Sequence, residues 1–146
     1  MSQEKNDLFY LCSLIEFIAR TTTDTKKEIV TKIGKDGLTK LFSLASILHV
    51  EPIEKISEEI IKEYNIKQGN YVKHFQNKIP THWDIGKVYQ RLIIMNSPSD
   101  LEYINSLIEV LTSWIILKID NYDSSMYYEN PSYIYACYKE GKILPN

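Results

Sequence analysis

The sequence predicts an all-α protein, a compact bundle of six or seven helices with no significant sheet. Three observations predict it. Apolar residues recur at three- and four-residue spacing through most of the chain. No stretch shows the strict apolar–polar alternation of a half-buried strand. Capping residues, Gly and Pro divide the pattern into segments of helix length. The 146 residues fit one helical domain, 1–146, or two packed halves, 1–65 and 81–146, joined by a loop over 66–80.

The first helix spans residues 6 to 21, with Leu8, Leu11, Cys12, Ile15, Ile18 and Ala19 on one face. Leu14 and Phe17 widen that face, so this helix is well buried. The polar run Thr21-Thr22-Thr23-Asp24-Thr25 ends it, and Thr25-Lys26-Lys27-Glu28 has the form of a capping box for the next. A short helix then buries Ile29, Val30 and Ile33 and stops at Gly34. A third begins at Asp36 or Gly37 and carries Leu38, Leu41, Phe42, Ala45 and Leu48 inward. Pro52 suits the first position of a fourth helix, where its missing amide costs nothing. Ile53, Ile56, Ile60 and Tyr64 line one side of it, and Glu51, Glu54, Glu58 and Glu59 lie on a solvated opposite face.

Asn65 to Pro80 reads as a loop with a short turn at Tyr71 to Phe75, and loops of this length in compact domains are often functional. Thr81 caps a helix whose inward face is Ile85, Val88, Tyr89, Leu92 and Ile93. Gly86 inside it costs about 1 kcal/mol relative to Ala, which close approach of another helix would offset. Asn96-Ser97-Pro98 ends this helix and Ser99 caps the next. That one is the longest, Asp100 to Ile119, with Leu101, Ile104, Leu107, Ile108, Leu111, Trp114, Ile115 and Lys118 in helical period. Apolar on much of its circumference, it belongs at the centre of the core. An aromatic loop, Tyr122 to Glu129, leads to Asn130-Pro131 and a last helix through Ile134, Tyr135 and Tyr138, stopped by Gly141.

Composition excludes several classes of function. Apolar residues make up 44% of the chain and charged residues 25%, ordinary values for a globular protein. A chain of this size buries roughly two-thirds of its unfolded surface and needs no metal or disulfide to fold. Cys12 and Cys137 lie far apart with no metal spacing, so reduced thiols and a cytoplasmic setting are expected. The polar start is not a signal peptide, and no apolar run approaches a membrane span. Net charge is −2 and only Arg20 and Arg91 are arginines, which argues against nucleic acid as a partner.

No catalytic constellation is present. His74, His82 and Asp84, or His49 with Glu51, are candidate metal ligands, but none has the spacing of a helical metal motif. Cys12 and Cys137 fall on apolar faces, where thiols are packing groups. There is no phosphate loop or nucleophile elbow, and neither arginine starts the Arg-x4-6-His spacing of a large class of helical ribonucleases. No cofactor is implied.

Aromatic residues are the unusual feature. Seven of the eleven tyrosines follow residue 100: Tyr103, Tyr122, Tyr127, Tyr128, Tyr133, Tyr135 and Tyr138. Tyrosine combines large contact area with few rotatable bonds and a polar tip, which suits interfaces. The expected contact residues are His82, Trp83, Asp84 and Arg91 at the start of the residue-81 helix, with Tyr122, Tyr127, Tyr128 and Tyr133 in the tail.

The segment Leu14-Ile15-Glu16-Phe17-Ile18-Ala19-Arg20-Thr21-Thr22, with Ile29-Val30, Gly34, Leu38, Leu48-His49-Val50 and Ile60-Ile61, resembles a family of short, uncharacterised bacterial helical proteins. Members are encoded beside ADP-ribosyltransferase-like toxin domains. The resemblance covers the first 65 residues and implies an accessory or antitoxin-like role without an activity. It assigns no site residues.

These readings lead to one expectation and two alternatives. The expectation is a non-enzymatic regulator that binds and neutralises or modulates another protein, as an antitoxin, an immunity protein or a phage-type inhibitor. One alternative is a nucleotide- or RNA-directed enzyme or toxin using His74, His82, Asp84 and Arg91, which requires those side chains to share a pocket. The other is a homo-oligomeric structural module, a homodimer in its simplest form.

Overall fold

Seven α-helices and two short 3-10 turns make up the computed structural model, which describes residues 2–71, 75 and 78–145, with no strand among them. The helices are α1 (Gln3–Thr21), α2 (Lys26–Leu48), α3 (Ile53–Glu63), α4 (His82–Met95), α5 (Tyr103–Leu111), α6 (Ile115–Ile119) and α7 (Pro131–Glu140). The 3-10 turns are Asp100–Glu102 and Met126–Tyr128. The expected all-α class is what the structure has.

α1 is the central element. It packs on α2, α3 and α4, and its contact with α4 is the most extensive between any two elements. Leu8, Leu11, Leu14, Ile15 and Ile18 are all buried, so apolar side chains cover most of its circumference. It begins earlier than its apolar period suggests, because the Ser2 hydroxyl accepts from the Lys5 amide and caps the first turn. α2 starts at Thr25, whose hydroxyl accepts from the Glu28 amide. It bends at Gly34, where φ of 77° and ψ of 168° lie outside the helical region. The helical path is interrupted at the expected glycine, but it resumes at once without a connecting loop.

Two expectations need correction, and a third falls largely outside the described residues. The single long helix over 100–119 is absent. Its start is the 3-10 turn, which leaves Leu101 88% exposed instead of packed, and its body breaks between Leu111 and Ile115. At the break the Thr112 hydroxyl donates to the Ile108 carbonyl and the Ser113 hydroxyl to that of Val110, each at 2.6 Å. Such side-chain bonds offer the backbone an alternative to the helical ladder. Redirecting the chain there lets Ile115, Ile116 and Ile119 face inward. The centre of the core is therefore α1. Pro52 is the N-cap of α3 and not its first residue: its ψ of 136° is extended, and its carbonyl receives the Lys55 and Ile56 amides. Lastly, the turn expected at Tyr71 to Phe75 falls largely outside the described residues.

The chain after α3 folds back onto the α1–α2 corner. The Gly69 amide donates to the Thr22 carbonyl at 2.7 Å and the Tyr71 amide to that of Thr23 at 2.9 Å. α4 then crosses α1 at Gly86. A Cβ built there would lie 2.2 Å from the Ser13 hydroxyl oxygen and 3.0 Å from the Ser13 Cα. The propensity cost of this glycine is thus offset by the closeness of two helix backbones. Alongside the crossing, the Gln90 side-chain amide donates to the Lys5 carbonyl at 2.9 Å.

Gly86→Ala should therefore destabilise the fold. The gain in helix propensity is about 1 kcal/mol, and overpacking a tight contact costs about 1–3 kcal/mol. Urea denaturation should show a net loss, which a second change, Ser13→Gly, recovers only in part because the Ser13 backbone stays in place.

Candidate functional site

The first turn of α4 is held by a reciprocal cap. The Thr81 hydroxyl accepts from the Asp84 amide at 3.1 Å, and the Asp84 carboxylate accepts from the Thr81 amide at 3.2 Å. With this turn anchored, Trp83, Lys87 and Arg91 follow at four-residue intervals and line up along one stripe of α4. Opposite stand Tyr127 and Tyr128 from the second 3-10 turn and Pro131 at the start of α7, which the Asn130 side chain caps. Phe9, Val88, Leu92 and Ile134 supply apolar surface between them, and the resulting groove encloses about 610 Å³.

The groove is aromatic and open. Trp83 is 40% exposed and Tyr128 65%. Trp83 leans on Phe9, ring centroids 5.8 Å apart, and Tyr127 stands edge-on to both Tyr128 and Tyr122. Lys87 places its ammonium 5.6 Å from the centre of the Phe9 ring. Burial, with the Asp84 carboxylate adding to it, raises the Tyr127 phenol above its ordinary pKa. A second hollow of about 340 Å³, bounded by Tyr10 and His49, lies on the far side of the Phe9–Trp83 pair.

Of the contact residues expected from the sequence, Trp83, Asp84, Arg91, Tyr127 and Tyr128 all line this one groove. The other three do not. Tyr122 is a correction: it is 1% exposed and wedged between Phe75 and Tyr127, so it has no surface to offer a partner. Its position beside α6 draws it into the core. Tyr133 is half-buried and donates to the Leu144 carbonyl, pinning the C-terminal tail. His82 turns away from the groove and stands edge-on to Phe17 with centroids 5.1 Å apart. Its Nε2 is buried with no hydrogen-bond partner among the described residues. Burial, reinforced by Arg20, lowers its pKa below the usual histidine value. His74 lies outside the described residues; of the three described side chains an enzyme reading invoked, Asp84 and Arg91 line the groove and His82 does not.

The sequence reading missed a buried ionic cluster. Glu16 of α1 accepts from Arg20 and from Lys26, and Lys26 also donates to Asp120 at 2.7 Å. The Tyr89 hydroxyl donates to the other Asp120 oxygen at 2.8 Å, and its ring lies 4.8 Å from the Lys26 nitrogen. Glu16, Lys26 and Asp120 are at most 4% exposed. Burial works against the Lys26 ammonium, but Asp120 and Glu16 outweigh it and hold its pKa above the ordinary lysine range. Among the described residues two carboxylates and two cations balance in the cluster; Glu16, Lys26 and Asp120 are enclosed, and the Arg20 side chain is 30% exposed. Only one signal foreshadows it: three charged residues, Glu16, Arg20 and Lys26, on or beside otherwise apolar faces.

Among the described residues no group of three or more His, Cys, Asp or Glu side chains is arranged to hold a metal ion. Cys12 and Cys137 are both buried, and burial raises the Cys12 thiol far above its ordinary pKa. Among the described residues no helix is long and apolar enough to cross a membrane.

Three outcomes are expected. Lys26→Ala removes the buried cation that bridges Glu16 and Asp120 and should lower the unfolding free energy by about 3–5 kcal/mol. Lys55→Ala, which removes an exposed pair with Glu51, should cost less than about 1 kcal/mol. Because the folded-state pKa of Lys26 is raised, its contribution is complete below the unfolded value of about 10.4 and is lost only as pH climbs through the folded one. His82 has the opposite sign. Its lowered folded pKa means the unfolded chain binds a proton first, so stability falls as pH drops below about 6.5. Thermal unfolding of His82→Gln between pH 7 and 5 should show a flatter decline than the parent.

No protein-family model matches this chain, and neither a curated protein nor a solved structure is similar to it.

Proposed function

We propose that this chain is a non-enzymatic protein-binding regulator that neutralises or modulates a partner by holding part of it in the α4–α7 groove. The observation that carries this reading is the convergence of two separate segments on one exposed aromatic surface. Trp83 and Arg91 come from α4, and Tyr127 and Tyr128 from the turn before α7. Trp, Tyr and Arg are the residues that dominate binding energy at protein interfaces. Aromatic rings held by neighbouring rings lose little conformational freedom when a partner arrives. Elsewhere among the described residues, the charged cluster of Glu16, Lys26 and Asp120 is buried in the helical core. A small binding scaffold of this kind suits an antitoxin, an immunity protein or a phage-type inhibitor.

A photo-crosslinking amino acid placed at Tyr128 tests it in cells of the native host, with the same group at Glu58 on the solvent face of α3 as control. The expected product is a covalent adduct with a different protein from position 128 and none from position 58. Trp83→Ala should reduce that adduct at least tenfold, since loss of a central aromatic anchor costs about 2 kcal/mol or more. Adducts only between two copies of this chain would favour a homo-oligomeric module instead. Equal adducts from both positions would remove the groove from consideration.

A further inference from the structure

Among the described residues three surface lysines are paired with carboxylates, and most are not. Lys32 meets Asp24 at 3.0 Å, Lys40 meets Glu63 at 3.6 Å and Lys55 meets Glu51 at 3.2 Å. The two cations of the groove belong to the unpaired set. Lys87 and Arg91 stand one turn apart on α4, and among the described residues neither has a carboxylate within ion-pair distance. Asp84 precedes Lys87 by three residues, a spacing that allows pairing. Its carboxylate is instead turned back to the Thr81 amide as part of the helix cap. Lys87 reaches only the face of Phe9. The cap thus leaves two unpaired positive charges at the edge of an apolar trough.

We infer that the groove receives a carboxylate-bearing apolar segment of a partner protein, its hydrophobic side chains on Phe9, Val88 and Ile134 and its acidic side chain between Lys87 and Arg91. The inference rests on the protein-binding reading above and names the chemistry of the partner. Arg91 offers a planar fork of donors that matches a carboxylate, and Lys87 adds a second charge one turn away. Partial shielding by the aromatic walls strengthens both contacts relative to open water. Nucleic acid fits less well, because Asp84 and Glu129 line the same trough and would repel a phosphate backbone.

Selection from a random peptide display library on the immobilised full chain tests this, with Trp83→Ala and Lys87→Gln/Arg91→Gln proteins as counter-targets. The expected sequences pair Leu, Phe or Trp with Asp or Glu, and their enrichment disappears on both counter-targets. Changing the acid of a selected peptide to its amide should weaken binding about tenfold, and added salt should weaken it further. Enrichment that depends on Trp83 but shows no acidic bias would overturn this inference and leave groove binding standing. Enrichment of lysine-rich peptides would do the same. No Trp83-dependent enrichment at all would overturn both. Tighter binding of single-stranded oligothymidylate than of any selected peptide, lost in Lys87→Gln/Arg91→Gln, would overturn it in favour of nucleic acid.

Discussion

Lys26 enters the core from the first turn of α2 and meets Glu16 of α1 on one side and Asp120, the residue capping α6, on the other. Placing an ammonium there costs several kcal/mol of hydration, which only close and well-directed partners offset. The partners come from regions far apart in the chain: Lys26 and Asp120 are separated by 94 positions. A buried charge tolerates one arrangement of its partners, whereas an apolar side chain packs acceptably in several. The cluster therefore ties the start of α2, the middle of α1, the body of α4 through Tyr89 and the end of α6 into one geometry. The apolar core supplies most of the free energy, and the cluster restricts how that core is assembled.

The groove inherits its shape from that arrangement. With α1 and α4 drawn together at the Ser13–Gly86 crossing, Phe9 and Trp83 come into ring contact one turn before it. Asp120 sits two residues before Tyr122, so anchoring Asp120 also seats Tyr122, and Tyr127 packs against Tyr122 in turn. The aromatic wall opposite α4 is thus built outward from the ionic cluster. Tyr122 acts here as the support and Tyr128 as the surface. The same chain of contacts explains why one tyrosine-rich segment holds both core and exposed residues.

Much of the fold could be read from the chain. Apolar spacing located α1, the two arms of α2, α3, α4 and α7, and the caps at Thr25, Thr81 and Asn130 are short-range devices that depend only on neighbouring residues. The break at Thr112 to Trp114 was not legible, because no Gly or Pro marks it. A continuous apolar helix and two short helices share the same period, and only the shape of the core distinguishes them. The groove was legible in its residue types. Aromatic and Arg side chains near Thr81 and in the tail singled out five of its lining residues, but nothing in their spacing said that they meet. Tyr122 and His82 show the limit, since a tyrosine or histidine beside a loop reads alike whether it faces the solvent or the core.

The sequence by itself determined which segments are helical and where most of them begin and end, because helix period and capping are local properties of the chain. Tertiary structure alone decided which charged residues are buried, where α1 and α4 touch, and which aromatic residues are left at the surface. Those outcomes depend on partners from distant parts of the chain: the ammonium of Lys26 is tolerable in the core only because Glu16 and Asp120 arrive there with it.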